Sequence, residues 1–198
     1  MKIYGHPLSP PSRLVTAFAN LLSLDFTYVQ VDLMAGGSQT PEYTLLNPNQ
    51  RVPLLEEEDG FVLTETMAIL RYLADKYPGG HQFYPTDTKK RAELNMHLGI
   101  LNDLRSAGQL YILGKVWSPI MGLEFPEPII EGKHATMQKV LKEYDDLLAD
   151  KEYVLFGEIT LVDLTLMYIL FVNVMLKGIE DPLAIYPNLN RYFTKHLE

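Results

Sequence analysis

The strand-like segments of this chain are confined to its first eighty residues, which limits the folds open to it. Residues 2–4 and 26–31 predict two strands, and apolar residues at helical spacing predict a helix between them. A third strand is expected to open at Pro53, a fourth to cover residues 61–63, and a helix to run from Met67 to Tyr77. The order β-α-β, loop, β-β-α predicts one small α/β domain.

The rest of the chain predicts helices only. Apolar residues recur at helical spacing in four segments, at about 88–117, 127–150, 160–176 and 187–197. We therefore predict an α/β domain at residues 1–78, a linker at residues 79–87, and an all-helical domain at residues 88–198.

One helix of the second half carries a specific start signal. Thr160 has the residue type of an N-cap, and Asp163, three positions later, can reach back to the N–H of the cap residue. Ile159 and Leu164 flank the cap at the spacing of a hydrophobic staple. We interpret this segment as a folding element and not as a binding site.

Composition and charge exclude several classes of function. A net charge of −8 argues against nucleic acid as a partner, because phosphate binding needs a basic surface. The chain has no cysteine, and its five histidines lack metal-ligand spacing, so we predict no disulfide, no thiol redox chemistry and no metal site.

The sequence predicts no association with a membrane. Its most apolar stretch, from Ile159 to Leu176, contains Asp163 and Asn173 and is better explained as a buried helix. Pro7 interrupts the first residues before an apolar signal-peptide core could form. We expect a cytoplasmic protein.

Pro53 marks a place where an extended ligand could bind. Proline cannot donate a ladder hydrogen bond, so it indicates a strand edge, a bulge or a cis peptide bond. It leaves the N–H and C=O of Val52 free to pair with an extended peptide. Glu65 and Thr66 then stand at a predicted helix start, where free N–H groups favour a carboxylate. Together these features predict a pocket for a small anionic peptide.

Six motifs in this order resemble those of the cytosolic glutathione transferases, in particular the serine-type phi, delta and theta classes. They are Tyr4-Gly5-His6-Pro7-Leu8-Ser9, Val31-Asp32-Leu33, Asn47-Pro48 through Pro53, Glu65-Thr66-Met67-Ala68-Ile69, the Thr160/Asp163 capping box, and Tyr186-Pro187-Asn188-Leu189. The resemblance implies a thioredoxin-like N-terminal domain that binds glutathione. It also implies a helical domain that supplies most of a hydrophobic second-substrate site.

The resemblance further implies an activity and its partners. Such an enzyme conjugates glutathione to small hydrophobic electrophiles, and the same chemistry allows glutathione peroxidase activity as a side reaction. Glutathione is the co-substrate, no cofactor is bound permanently, and the protein is a homodimer. The alternative is a non-catalytic binding or assembly module of the same fold.

Five residues match the centre of the family's glutathione site. Ser9 matches the serine whose hydroxyl donates a hydrogen bond to the glutathione sulfur, and is the expected catalytic residue. Val52 matches the residue whose main chain pairs with the cysteinyl unit, and Pro53 matches the cis-proline after it. Glu65 and Thr66 match the pair that holds the γ-glutamyl end.

The expected glycyl end of the site departs from the family pattern. Ser38, followed by Gln39, stands where phi and delta enzymes usually have a histidine. Gln50 and Arg51 also replace other residue types, and the Arg51 guanidinium could bind the glycyl carboxylate. Met67 replaces an arginine that often makes contacts across the dimer.

Each of these residues also has a simpler interpretation. Ser9 is a plausible N-cap before Pro10, Thr66 could cap its own helix while binding a carboxylate, and Ser12 is a competing hydroxyl best explained by the helix start. Tyr4 lies inside a strand and is expected to pack in the core. Four residues at helical spacing are compatible with either the second-substrate site or the core: Tyr111, Ile112, Trp117 and Met121.

Overall fold

The computed structural model describes residues 1–175 and 181–197, and the chain divides into two units, Met1–Pro85 and Thr86–Glu198. Among the described residues, strands occur only in the first unit and the second contains helices. The predicted α/β fold followed by an all-helical fold is therefore confirmed.

A mixed sheet organises the first unit. Its strands are β1 (Lys2–Gly5), β2 (Thr27–Gln30), β3 (Leu54–Glu56) and β4 (Val62–Thr64). Their order is β2-β1-β3-β4, with β2 parallel to β1 and β3 antiparallel to both β1 and β4. Because proline has no N–H to donate, β3 begins one residue after Pro53 and not at it.

Helices α1 (Pro10–Leu21) and α3 (Thr66–Lys76) pack against one another and bury their apolar faces. Two shorter helices, α2 (Pro41–Leu46) and α4 (Gly80–Phe83), were not predicted. Neither is long enough to show helical periodicity, and α4 lies within the predicted linker. The local signal for α2 is the Thr40-Pro41 pair, in which the Thr40 hydroxyl accepts a hydrogen bond from the Tyr43 N–H at 3.3 Å.

The second unit contains six described α-helices: α5 (Thr88–Ile112), α6 (Ser118–Met121), α7 (Glu127–Leu147), α8 (Leu161–Met175), α9 (Pro182–Ile185) and α10 (Pro187–Leu197). The helix predicted at 88–117 is α5 followed by a π-helical segment, and the end of the helix predicted at 160–176 lies outside the described residues. Within the described ranges, no helix combines the length and apolar character that crossing a membrane requires.

The predicted capping box at the start of α8 is confirmed. The Asp163 carboxylate accepts hydrogen bonds from the Thr160 N–H at 2.8 Å and from the Thr160 hydroxyl at 2.9 Å. It also accepts from the Val154 N–H at 2.8 Å and the Tyr192 hydroxyl at 2.9 Å. Asp163 is fully buried, so this one side chain joins the start of α8, the preceding loop and α10.

A second buried carboxylate fixes α10 on α7. Asp145 accepts hydrogen bonds from the N–H groups of Asn188 at 2.7 Å and Leu189 at 3.0 Å, which are two of the free donors at the start of α10. In return, the Arg191 guanidinium donates to the Ala149 carbonyl at 3.0 Å, just beyond the end of α7. These contacts join segments more than forty residues apart, and sequence spacing does not reveal them.

Candidate active site

The register of the sheet places the last residues of β1, β2 and β4 and the first residue of β3 along the same edge. Gly5 and Gln30 are paired in the parallel β1–β2 ladder, so the loops that follow both strands leave at the same edge. Leu54 is paired with Tyr4 and with Thr64, so β3 enters the sheet where β1 and β4 leave it. The segments that carry Ser9, Val52 and Glu65 therefore meet at this edge, which we call the site edge.

Ser9 lies in the loop between β1 and α1 and caps the helix. Its Oγ accepts a hydrogen bond from the Ser12 N–H at 3.4 Å, so the N-cap interpretation holds. The oxygen is the acceptor in this bond, and the hydroxyl hydrogen remains available for donation. Ser9 is only partly buried. The cap and a catalytic hydrogen bond are thus compatible in the same side chain.

The start of α1 offers few other donors to a ligand. Pro10 and Pro11 occupy its first two positions and have no N–H. The next two N–H groups, of Ser12 and Arg13, are bonded to the Ser9 Oγ and the Ser9 carbonyl respectively. In this described helix the first four positions therefore contribute no free N–H, and the Ser9 hydroxyl is the donor that its start presents.

The two competing hydroxyls, of Ser12 and Tyr4, lie in structural surroundings. Ser12 is 1% exposed, and its Oγ accepts a hydrogen bond from the His6 N–H at 3.4 Å, which holds the loop after β1. The Tyr4 hydroxyl donates to Glu56 at 2.7 Å, and burial raises the pKa of this phenol above its usual value. Both residues therefore fit the structural roles expected for them.

The main chain of Val52 is open, as the sequence predicts. The Val52–Pro53 peptide bond is cis, one of the three alternatives considered for Pro53. Within the part of the chain that the structure describes, neither the N–H nor the C=O of Val52 has a hydrogen-bond partner. One donor and one acceptor therefore remain for a strand-like ligand at the site edge.

The start of α3 also presents free donors. Glu65 occupies the cap position, so the interpretation of Thr66 as the N-cap is wrong; Thr66 is the first helical residue. The Glu65 side chain makes no capping hydrogen bond, and its backbone has φ 69° and ψ 116°, which is costly for a residue with a Cβ. The N–H groups of the first turn, beginning at Thr66, therefore point out of the helix without an intrahelical acceptor.

The four residues expected at the glycyl end differ in exposure. Ser38 is 7% exposed and lies in a short 3₁₀ helix, whereas Gln39, Gln50 and Arg51 are exposed. The Gln50 side chain donates to the Thr44 hydroxyl at 3.4 Å. The Arg51 guanidinium has no partner among the described residues, which leaves it the best placed of the four to meet a carboxylate.

The carbonyl of Arg51 is bound by two buried side chains that the sequence analysis did not single out. The Tyr43 hydroxyl and the Asn47 Nδ2 both donate to it at 2.7 Å. Asn47 belongs to the Asn47-Pro48 motif, and Tyr43 lies in α2, which sequence periodicity does not predict. An Asn-Pro pair before a free strand edge was the available signal for Asn47; no local signal marks Tyr43.

Two exposed apolar side chains lie in the loops that leave the sheet at the site edge. Leu8 in the loop after β1 is 79% exposed, and Met34 in the loop after β2 is 89% exposed. Both loops leave at the site edge, which also carries Ser9. Isolated exposed apolar residues are common, but two of them in the loops of one sheet edge are compatible with an apolar substrate.

Of the four residues proposed for either the core or the second-substrate site, two lie in the core and two are exposed. Tyr111 and Ile112 are each 8% exposed and belong to the core of the helical unit, whereas Trp117 is 46% and Met121 61% exposed. Among the described residues, no group of three or more histidine, aspartate or glutamate side chains is arranged to hold a metal ion.

Comparison with known proteins identifies the family. Residues 1–75 match the sequence model of the glutathione S-transferase N-terminal domain, and residues 101–198 match that of the C-terminal domain. Glutathione S-transferase theta-2 of Mus musculus is 32% identical over 191 residues, which cover 96% of this chain and 74% of the mouse protein. The chain belongs to the glutathione S-transferase family. The resemblance inferred from the motifs is confirmed.

Solved glutathione transferases share the fold over almost the whole chain. Glutathione transferase F7 from Populus trichocarpa superposes with a TM-score of 0.85 at 25% identity, covering 98% of this chain and 92% of that one. Human glutathione transferase theta-2, solved in complex with glutathione, superposes with a TM-score of 0.84 at 27% identity, covering 100% of this chain and 80% of that one. The thioredoxin-like and helical units are therefore those of a glutathione transferase.

Proposed function

We propose that this protein is a glutathione transferase that stabilises the thiolate of glutathione through the Ser9 hydroxyl and conjugates it to hydrophobic electrophiles. The supporting observation is that the Ser9 hydroxyl, the open Val52 main chain and the start of α3 gather at one edge of the sheet. Glutathione matches these three features: its thiol meets the Ser9 hydroxyl, the main chain of its cysteinyl unit pairs with Val52, and its γ-glutamyl carboxylate meets the start of α3. The human theta-2 relative, solved with glutathione, supports the same ligand here.

The Ser9 hydroxyl is sufficient for the proposed chemistry. A free thiol has a pKa near 8.5, so only a few per cent is thiolate at neutral pH. Lowering that pKa by about two units takes roughly 2.7 kcal/mol, and one hydrogen bond to a charged group contributes about 1.5–3 kcal/mol. Because the first turn of α1 has no free N–H, this hydroxyl carries the stabilisation from that helix start. Ser9 acts as a hydrogen-bond donor and not as a base.

The rest of glutathione is bound by complementary groups. The cysteinyl unit pairs with the N–H and C=O of Val52 beside Pro53, as an added strand. The γ-glutamyl carboxylate meets the N–H and hydroxyl of Thr66 at the positive end of α3, while the Glu65 carboxylate faces the γ-glutamyl ammonium. The glycyl carboxylate meets Arg51, with Gln50, Ser38 and Gln39 in the neighbouring loops.

Leu8 and Met34 form the apolar border of the electrophile site within the first unit. A small hydrophobic electrophile, such as an aryl halide or an organic hydroperoxide, is held against these exposed side chains while the thiolate attacks it. Glutathione is a co-substrate consumed in each turnover, so the reaction requires no permanently bound cofactor. We further propose that the protein acts as a cytoplasmic homodimer.

The test is glutathione conjugation to chlorodinitrobenzene by the wild type, Ser9→Ala and Ser12→Ala. Losing a hydrogen bond of about 1.5–3 kcal/mol to the thiolate should lower the turnover of Ser9→Ala by roughly 10- to 150-fold, with little change in glutathione affinity. The ultraviolet absorbance of the thiolate should titrate at higher pH in Ser9→Ala than in wild type. Ser12→Ala is the matched control and should keep the wild-type titration, because Ser12 is buried beneath the loop.

The outcomes separate the competing interpretations. Equal activity in wild type and Ser9→Ala would reduce Ser9 to a helix cap. Glutathione binding without turnover of chlorodinitrobenzene would point to a narrower electrophile. A wild type that neither binds nor conjugates glutathione would support the non-catalytic binding or assembly module and refute the proposal.

A further inference from the structure

We infer that Tyr43 and Asn47 are positioning residues for glutathione, acting through the peptide group between Arg51 and Val52. The inference rests on the proposed function and extends it to side chains that do not themselves meet the ligand. Its basis is the pair of hydrogen bonds of 2.7 Å from the Tyr43 hydroxyl and the Asn47 Nδ2 to the Arg51 carbonyl, which we call the Arg51 clamp.

The clamp acts on a single rigid unit. A peptide group is planar, and in the trans form its C=O and N–H point in opposite directions. The Arg51–Val52 bond is trans, since the one cis peptide bond among the described residues is Val52–Pro53. Holding the Arg51 oxygen from the protein interior therefore aims the Val52 N–H away from it, toward a ligand at the site edge.

The Arg51 carbonyl does not need two buried side-chain donors to satisfy its hydrogen-bonding capacity. Arg51 is an exposed residue, so water could serve its carbonyl. The donors instead come from side chains that are 6% exposed in Tyr43 and 2% exposed in Asn47, and burying polar groups has a desolvation cost. Burial also raises the pKa of Tyr43 to about 12, so its hydroxyl remains a proton donor throughout the neutral range. The two donors therefore fix the direction of the Arg51 carbonyl as well as satisfying it.

Asn47 also sets the loop that leads to the clamp. Its Oδ1 accepts a hydrogen bond from the Asn49 N–H at 3.0 Å, and its carbonyl accepts from the Gln50 N–H at 2.9 Å. Gln50 has φ 54°, a left-handed conformation that few side chains adopt without support. Asn47 thus holds three successive residues, 49 to 51, in the path that delivers Val52 to the site edge.

The Val52 side chain is also held by the interior of the first unit. It packs against the buried cluster of Val31, Tyr43 and Leu54, while the clamp holds the preceding carbonyl. Side chain and carbonyl are both committed to the interior. The N–H and C=O of Val52 are left as a preformed donor and acceptor, so little ordering is needed when a peptide ligand pairs with them.

The experiment measures the glutathione Kd by calorimetry for wild type, Tyr43→Phe, Asn47→Ala and the double variant. One neutral hydrogen bond is worth roughly a 2- to 12-fold change in affinity, so each single variant should raise the Kd by about that factor. Either donor alone still orients the carbonyl, so the double variant should exceed the product of the two single effects. The control is Tyr186→Phe, which removes a buried tyrosine hydroxyl that donates to the Gln138 carbonyl at 3.1 Å in the helical unit.

Kinetics distinguish positioning from general damage. Val52 binds the ligand equally before and during reaction, so KM for glutathione should rise while kcat at saturating glutathione stays near the wild-type value. Protection of the Val52 amide from hydrogen exchange on adding glutathione, followed by NMR, should be present in wild type and weakened in the double variant. Tyr43→Phe removes one oxygen atom and keeps the test valid if Asn47→Ala does not fold.

Failure of this inference is distinguishable from failure of the proposed function. If wild type binds glutathione and Tyr43→Phe and the double variant bind it equally well, the clamp has no positioning role. A fall in kcat with unchanged KM would overturn it in the same way. If wild type itself does not bind glutathione, the proposed function fails and the clamp inference falls with it.

Discussion

Replacing Asp163 by asparagine should greatly destabilise the helical unit, although the two side chains have almost the same shape. In Asp163→Asn the amide nitrogen takes the place of one carboxylate oxygen. That oxygen accepts either from Val154 and Tyr192 or from the N–H and hydroxyl of Thr160. In both cases the new NH₂ group faces a main-chain N–H that cannot rotate away.

The magnitude follows from these contacts. One buried N–H loses its acceptor, which costs about 1–3 kcal/mol. The remaining hydrogen bonds to residue 163 also weaken, because a bond to a charged group contributes about 1.5–3 kcal/mol and a neutral one about 1 kcal/mol. We expect the free energy of unfolding to fall by about 3–5 kcal/mol, because the lost acceptor and the weakened bonds add.

The assay is equilibrium unfolding in urea, followed by circular dichroism of the helices. The matched control is Asp146→Asn, which removes the same charge from an exposed pair with Lys142 at 2.6 Å and should cost less than about 1 kcal/mol. A loss in Asp163→Asn no larger than in the control would refute the argument, because it would mean that the four bonds to Asp163 contribute nothing specific.

Three further predictions concern other parts of the chain. Burial lowers the pKa of His97 and of His196, so the unfolded chain binds protons more readily than the folded one. The urea concentration at the unfolding midpoint should therefore stay constant above about pH 6.5 and fall as pH decreases through the lowered pKa values. A midpoint that rises on acidification would contradict this. A Cβ at Gly80 would lie 2.1 Å from a carbonyl oxygen of α3, so Gly80→Ala should lower the free energy of unfolding by about 1–3 kcal/mol, whereas Gly99→Ala, with open space around it, should not destabilise. Glu65→Gly should relieve the φ of 69° and raise the free energy of unfolding by about 1 kcal/mol while weakening glutathione binding; unchanged stability would show that the backbone there is unstrained.

The sequence predicted best where chemistry and local geometry coincide. Pro53 has no N–H, and that fact alone anticipated the open main chain of Val52, although β3 begins one residue later than predicted. The Thr160/Asp163 spacing predicted a cap because the hydrogen bonds of a capping box close within one turn. In both cases the information lies within a few consecutive residues.

Other features depend on contacts between distant segments and left no local pattern. The bonds from Val154 and Tyr192 to Asp163 join residues 9 and 29 positions apart, and the docking of α10 on Asp145 spans 43. Helix α2 is one and a half turns long, too short for apolar periodicity, so Tyr43 was overlooked. The residue type of Thr66 is compatible with the N-cap position, yet the structure places Glu65 there.

At Val52 a ligand would be recognised by main-chain atoms, whereas mutations change only side chains. Every amino acid except proline supplies the same N–H and C=O, so exchanging Val52 for another apolar residue alters no atom in the proposed contact. A mutational scan of helix α2 and the loop after it would therefore score position 52 as tolerant and positions 43 and 47 as sensitive. Read without the structure, such a scan would assign the binding surface to two side chains that lie behind it.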